Sequence, residues 1–235
     1  MSDEPRARHI LIVEDDRDLA EITRIHLEGA GYSVCHALDC VGARAHIDNQ
    51  YFDLVLLDIM LPDGSGHELC EYLREKDDCP VIFTSCLEDS GTIVASLTKG
   101  GDDYVTKPVH YGELLARIEA NIRRFRESRP AAGAGAKGVR RFAGFLIDTV
   151  RRRVVIDTEE ICLTQIEYAI LDYLSARPGE LILYDDLYCD VWGSDSFGDV
   201  RTLLVHVSNL RKKIDPESRG VIENVRGVGY LFGDV

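Results

Sequence analysis

The chain has 235 residues, enough for one large domain or two ordinary ones, and its 45% apolar and 29% charged content is that of a globular protein. The charged start "MSDEPRARHI" holds no apolar stretch of signal-peptide length, and no run reaches the length of a membrane span, so a cytoplasmic location with no membrane partner is expected. A formal net charge of −14 disfavours a nucleic-acid role for the chain as a whole. The imbalance is uneven, however: acids outnumber bases almost two to one in residues 1–128 and nearly balance them in 129–235, so the second part can still present a local positive patch.

In chain order, strand-like segments occur at 9–14, 32–38, 52–58, 79–85 and 103–108. Helix-length segments alternate with them at 16–30, 40–50, 65–75, 88–99 and 110–126. Five β-α repeats imply an α/β fold, a five-stranded doubly wound parallel sheet with helices on both faces. The stretch "ESRPAAGAGAKG", residues 127–138, is Ala/Gly-rich, lacks apolar periodicity and reads as a flexible linker. Its Lys137 does not make it a phosphate loop, because the G-x-x-x-x-G-K-[ST] spacing is absent. The chain thus divides into 1–126, the linker 127–138, and 139–235. In the last part, 144–156 reads as a short hairpin around Arg151 and Arg152, with "RRR" at 151–153 as a solvated turn. Residues 163–179 read as an amphipathic helix with a Thr164/Glu167 capping box and a stop at Pro178-Gly179. Helices follow at 184–192 and 199–215, then two strands around Gly227 and Gly229 within 221–232. Helices closed by a hairpin suggest a small α+β domain with a wing.

Functional sites of open α/β sheets form beyond the carboxyl ends of the strands. There the first strand delivers Glu14, Asp15 and Asp16, the third Asp58, the fourth Thr84 and Ser85, and the fifth Lys107-Pro108. Converging carboxylates repel one another, and a hard divalent cation such as Mg²⁺ relieves that repulsion through oxygen ligands. Acids, one lysine and one hydroxyl suit a phosphoryl group. A carboxylate can itself be the nucleophile and form an acyl phosphate; Asp58, central and alone at the end of the apolar run "LVLL", is the best candidate. Asp16 reads instead as a helix N-cap. Seven cysteines without a C-x-x-C pair read as buried reduced thiols, not a zinc site.

With those residues in place, "ILIVEDD", "DLVLLDIMLPDGSG", "PVIFTS" and "GGDDYVTKPV" resemble, in order, the receiver domain of two-component response regulators over about residues 8–126. The resemblance implies a flavodoxin-like fold with Asp58 as phosphoacceptor. It implies Mg²⁺ held by Asp15 and Asp58, with Glu14 acting through water and Met60 through its backbone carbonyl. Ser85 would be the switch hydroxyl, Tyr104 the rotating aromatic and Lys107 the phosphate partner, with a cis bond before Pro108. Residues 140–233 are similar to the winged-helix output domain of the OmpR/PhoB family in "LTQIEYAILDYL", "VRTLLVHVSNLRKKID" and "NVRGVGYLF". The implied partners are a sensor histidine kinase, double-stranded promoter DNA, RNA polymerase and, after phosphorylation, a second copy of the chain. Helix 199–214 would lie in the major groove and the wing 221–232 in the minor groove.

On a helical period Leu203, Val207, Leu210 and Ile214 share a core face. Arg201, His206, Arg211, Lys212 and wing Arg226 suit phosphate contact, and Ser208 and Asn209 suit base edges; Thr202 and Asn224 complete the expected DNA-binding set. The family often carries Arg at positions 208 and 209 and an acid at Leu204, so this chain departs there. It also keeps Asp103, Glu113, Arg117 and Arg124 for cross-subunit ion pairs, but its fourth helix is charge-poor, with Ile93 where a base is usual, so weaker or rearranged phospho-dimers are expected. Two alternatives stand beside this reading. A phosphorylation-independent DNA-binding regulator would keep the same output domain. An aspartyl-phosphate phosphohydrolase would need an acid/base two residues after its nucleophile, where this chain has Met60.

Overall fold

The computed structural model describes residues 8–87, 89–127, 138–142, 144–156, 158–193, 200–216 and 220–233. The expected linker lies outside them except at its two ends. The chain divides into two units, Met1–Ile122 and Arg123–Val235, the boundary falling within the last helix of the first.

The first unit runs β1 (His9–Val13), α1 (Arg17–Gly29), β2 (Ser33–Ala37), α2 (Cys40–Asn49), β3 (Leu54–Asp58), β4 (Met60–Leu61), β5 (Gly64–Ser65), α3 (Gly66–Arg74), β6 (Val81–Ser85), α4 (Ser90–Thr98), β7 (Asp103–Thr106) and α5 (Tyr111–Glu127). Five strands form one parallel sheet in the order β2-β1-β3-β6-β7. Alternate residues of a strand face opposite sides. Ile10, Ile12, Leu54, Leu56, Ile82 and Val105 pack with Ala20 and Leu27 of α1 and Leu114 and Ile118 of α5. Their neighbours Leu11, Val55, Leu57 and Phe83 are equally buried, so both faces of the sheet are covered, as an unbroken apolar strand requires. The chain goes from β1 to β2, then crosses back to β3 on the other side of β1. That reversal opens a crevice at the carboxyl ends of β1 and β3. Asp16 caps α1, accepting from the N–H groups of Asp18 at 3.0 Å and Leu19 at 3.1 Å.

The second unit runs β8 (Val139–Phe142), β9 (Phe145–Asp148), β10 (Arg153–Ile156), β11 (Glu159–Ile161), α6 (Gln165–Ser175), β12 (Leu181–Leu183), α7 (Tyr184–Trp192), α8 (Arg201–Ile214), β13 (Ile222–Val225) and β14 (Gly229–Phe232). Where the sequence suggests one hairpin at 144–156, the structure has a four-stranded antiparallel sheet, β11-β10-β9-β8. The outer strands "VRRF" and "EEI" are short and charged, which hid them from a hydrophobicity reading. Arg152 is no freely solvated turn residue: its guanidinium lies 4.1 Å over the Tyr168 ring. Likewise β12 joins the final hairpin as a third strand, β12-β14-β13. Gly229 permits that pairing, since a Cβ there would lie 1.9 Å from the Ile182 carbonyl oxygen. The core gathers Leu203, Val207, Leu210 and Ile214 from α8 against α6 and α7.

The cysteines are all free; Cys40, Cys70 and Cys79 are buried, but Cys86 and Cys162 are exposed. Burial pushes the Cys40 and Cys70 thiols up to about 11, so both remain protonated at neutral pH. No helix among the described residues is long and apolar enough to cross a membrane.

Candidate functional site

The carboxyl ends of β1 and β3 bring Glu14, Asp15 and Asp58 together, with one carboxylate oxygen of each within 4.8 Å of the others. Glu14 and Asp58 are buried, and Asp15 is exposed. From beyond β7, Lys107 Nζ donates to Glu14 Oε2 at 2.6 Å and also to Asp58 Oδ2. The Lys107–Pro108 peptide is cis. Asp58 Oδ1 accepts the Met60 N–H at 2.9 Å, while the Met60 side chain is exposed. The burial cost of the two buried acids, Glu14 and Asp58, is therefore met in part by one ammonium and one amide. Burial, its largest influence, holds the Glu14 carboxyl above the usual range despite the lysine beside it. For Lys107, burial pulls the ammonium down, but its bonds to Asp58 and Glu14 outweigh this and the net shift is upward.

Ser85 and Tyr104 meet through a residue that the sequence reading passes over. Ser85 Oγ accepts the Leu87 N–H at 3.2 Å, and Tyr104 Oη donates to the Leu87 carbonyl. Both side chains are buried. The Leu87 peptide thus ties the hydroxyl at the end of β6 to the aromatic of β7. Two further contacts brace the loop after β3. Asp63 accepts the Cys40 N–H at 2.7 Å and the Val41 N–H at 3.0 Å, capping α2. The Gly66 N–H donates to the Ile59 carbonyl at 2.9 Å.

In the second unit, Arg201, Leu204, Ser208 and Lys212 form the exposed side of α8, with Asn209 and Arg211 half-buried beside them. Asn224 and Arg226 are exposed on the β13–β14 hairpin. Tyr184 Oη donates to Asn224 Oδ1 at 2.6 Å, which holds the amide by its oxygen. A groove of about 540 Å³ lies between helix and hairpin. Two residues of the expected DNA set do not belong to this surface. His206 is 1% exposed, with its ring 5.8 Å from that of Trp192, and Thr202 is 5% exposed. His206 stands three residues after Leu203 and four before Leu210, so helical spacing itself turns it inward. Ile93 of α4 is also buried, at 3% exposure, so it does not stand in a surface position suited to a base.

Residues 10–119 match the response regulator receiver domain, and residues 158–232 match the C-terminal domain of transcriptional regulatory proteins. The chain is 30% identical to the response regulator DrrB of Thermotoga maritima, an OmpR/PhoB homologue, over 97% of this chain and 99% of that one, with a TM-score of 0.49. It is 25% identical to the C128S mutant of RitR over 97% of this chain and 100% of that one, with a TM-score of 0.72. A third solved relative, 26% identical over 97% of this chain and 100% of that one with a TM-score of 0.49, is described within a family of streptococcal redox sensors that evolved from two-component response regulators.

Proposed function

The chain belongs to the OmpR/PhoB family of two-component response regulators, and from that premise we propose that a partner histidine kinase phosphorylates Asp58 and that the phosphorylated chain binds promoter DNA. A receiver joined to a transcription-regulator domain is the architecture of a DNA-binding regulator and not of an enzyme. The observation that supports the phosphoacceptor assignment is the single ammonium of Lys107 bonded to both Glu14 and Asp58. That ammonium is positioned to move from a carboxylate to a phosphoryl oxygen. Asp58 Oδ1, oriented by the Met60 amide, supplies the attacking oxygen. The donor set of Glu14, Asp15 and Asp58 is all oxygen and suits Mg²⁺, with the Met60 carbonyl as a further ligand. Bound there, Mg²⁺ neutralises charge on the transferring phosphoryl group.

After transfer, Ser85 hydrogen-bonds a phosphoryl oxygen and releases the Leu87 N–H. The Leu87 peptide then shifts, and with it the acceptor that holds Tyr104 Oη. The signal reaches α4 and α5 by this route. Pairing of two chains raises the effective concentration of their DNA-binding units. The charges available for that pairing are engaged within the chain: Arg117 bonds Asp103 at 3.0 Å and Glu113 at 2.8 Å, and Lys99 bonds Glu71 at 2.8 Å. Pairing is therefore weak, or uses other contacts, and recruitment of RNA polymerase follows DNA binding.

Incubation with Mg²⁺ and acetyl phosphate, read by intact mass, tests the site. One phosphate should add to the wild type and none to Asp58→Asn. An adduct that persists in the variant places the phosphoacceptor elsewhere. DNA binding that is identical with and without the adduct favours a phosphorylation-independent regulator.

A further inference from the structure

The exposed residues of α8 have an unusual order. Arg201, Leu204, Ser208 and Lys212 follow one another at intervals of three or four, so they form one stripe along the helix. Its charges lie at the ends, Arg201 in the first turn and Lys212 in the last with Arg211 beside it. Its middle holds Leu204 and Ser208. Leu204 is 37% exposed although the core side of the helix is already filled by Leu203, Val207, Leu210 and Ile214. Its side chain lines the groove between helix and hairpin, together with Ser208, Arg211 and Asn224.

A helix in the major groove with cations at both ends sets those cations against phosphates and its middle against base edges. Among the groups that base edges present there, the thymine C5 methyl is the apolar group that projects into the groove, where cytosine offers only a C5–H. We propose that Leu204 is a specificity-determining residue that reads a thymine methyl, so that the preferred half-site carries thymine opposite the middle of α8. The proposal rests on the reading of α8 as the DNA-reading helix. Discrimination has two sources. Thymine gains a buried methyl contact. Guanine or cytosine at that position leaves polar edge groups facing leucine, stripped of water and unpaired. Ser208, one turn on, can donate or accept and so imposes no comparable choice.

The test uses the full chain activated with beryllofluoride and Mg²⁺. Duplexes are selected from a random pool, and each thymine of the enriched site is then replaced singly by deoxyuridine, which removes only the methyl. Binding should weaken about fourfold at one position per half-site, the equivalent of ~0.8 kcal/mol for one buried methyl-sized group. Leu204→Ala, checked for folding by circular dichroism, should bind thymine and deoxyuridine duplexes equally. Leu204→Val provides a second variant and should show a reduced but measurable difference. Deoxyuridine tolerated at every position overturns the proposal, as does the same fourfold loss in Leu204→Ala. If no duplex is enriched, DNA reading by α8 fails, and the proposal fails with it; that outcome is distinct because there is then no site to substitute.

Discussion

At position 66 the chain can carry only glycine without rearranging its neighbours. A Cβ there would lie 2.1 Å from the Asp58 carbonyl oxygen and 3.0 Å from the Ile59 Cα. Both obstacles are backbone, and the Gly66 N–H is already bonded to Ile59. The first residue of α3 is thus pressed against the turn that carries Asp58. Gly66→Ala should cost about 1–3 kcal/mol of stability, the usual range for overpacking, and should slow acetyl phosphate labelling of Asp58. Urea unfolding and intact mass measure the two effects. Wild-type labelling at wild-type stability would mean that the turn yields without moving the carboxylate. The acids and Lys107 were legible in the sequence because strand ends put them on one edge. Gly66 was legible only as a member of the expected helix 65–75, since nothing in the sequence shows which backbone its missing Cβ would meet. Leu87 was not legible, because it acts through its peptide and any residue has one. His206 was misplaced because its polarity outweighed a spacing that already turned it toward Leu203 and Leu210.

Between α3 and α4 a polar contact joins buried Ser96 to half-buried His67, inside the exposed Lys99–Glu71 ion pair. Ser96 Oγ donates to the Thr92 carbonyl at 2.9 Å, so it accepts from His67 Nε2, 2.8 Å away. That assigns the ring proton to Nε2, and the ring meets Phe83 edge-on with centroids 5.4 Å apart. Burial holds the His67 imidazole below its ordinary 6.5, and Lys99 pushes the same way while Glu71 opposes. The fold therefore favours the neutral ring. Its contribution is complete above pH 6.5 and is lost as pH falls below that value toward the lowered pKa. Thermal melts at pH 7.5 and 5.5 should show a drop for the wild type that is smaller for His67→Gln. Equal drops in both proteins would remove His67 as the source. Elements were legible in proportion to their length and apolar content. All five β-α repeats and all three later helices stand near their expected bounds, whereas β4, β5, β8, β11 and β12 run two to four residues each and carry too little pattern to separate from loops.

Over the whole molecule, charge decides how strongly and how selectively DNA is held. The formal net charge is −14, and the surplus of acids lies in the residues that precede the DNA-binding unit. A duplex that approaches non-specifically meets a repulsive field. Among the described residues, the attraction is expected from the cations of one surface: Arg201, Arg211 and Lys212 on α8, and Arg226 on the hairpin. If each neutralises one phosphate, log K against log salt should fall with a slope of roughly −4 per bound chain and about −7 for two chains on paired half-sites. Fluorescence anisotropy at several salt concentrations, on the activated chain and a selected duplex, measures this. A slope of about −4 on paired half-sites would mean that one chain stays off the phosphates, and one of about −5 that the hairpin does. A slope steeper than about −9 would bring in cations outside this surface, with those of β8 and the Arg151–Arg153 turn the first to substitute. Because the repulsive field acts on every sequence alike, it lowers non-specific and operator binding by the same factor, and the preference for the operator rests on the stripe. Arginine introduced at Asn209 should raise affinity for all duplexes and, by removing an amide suited to a base edge, narrow the gap between operator and random DNA, which the same anisotropy titrations measure.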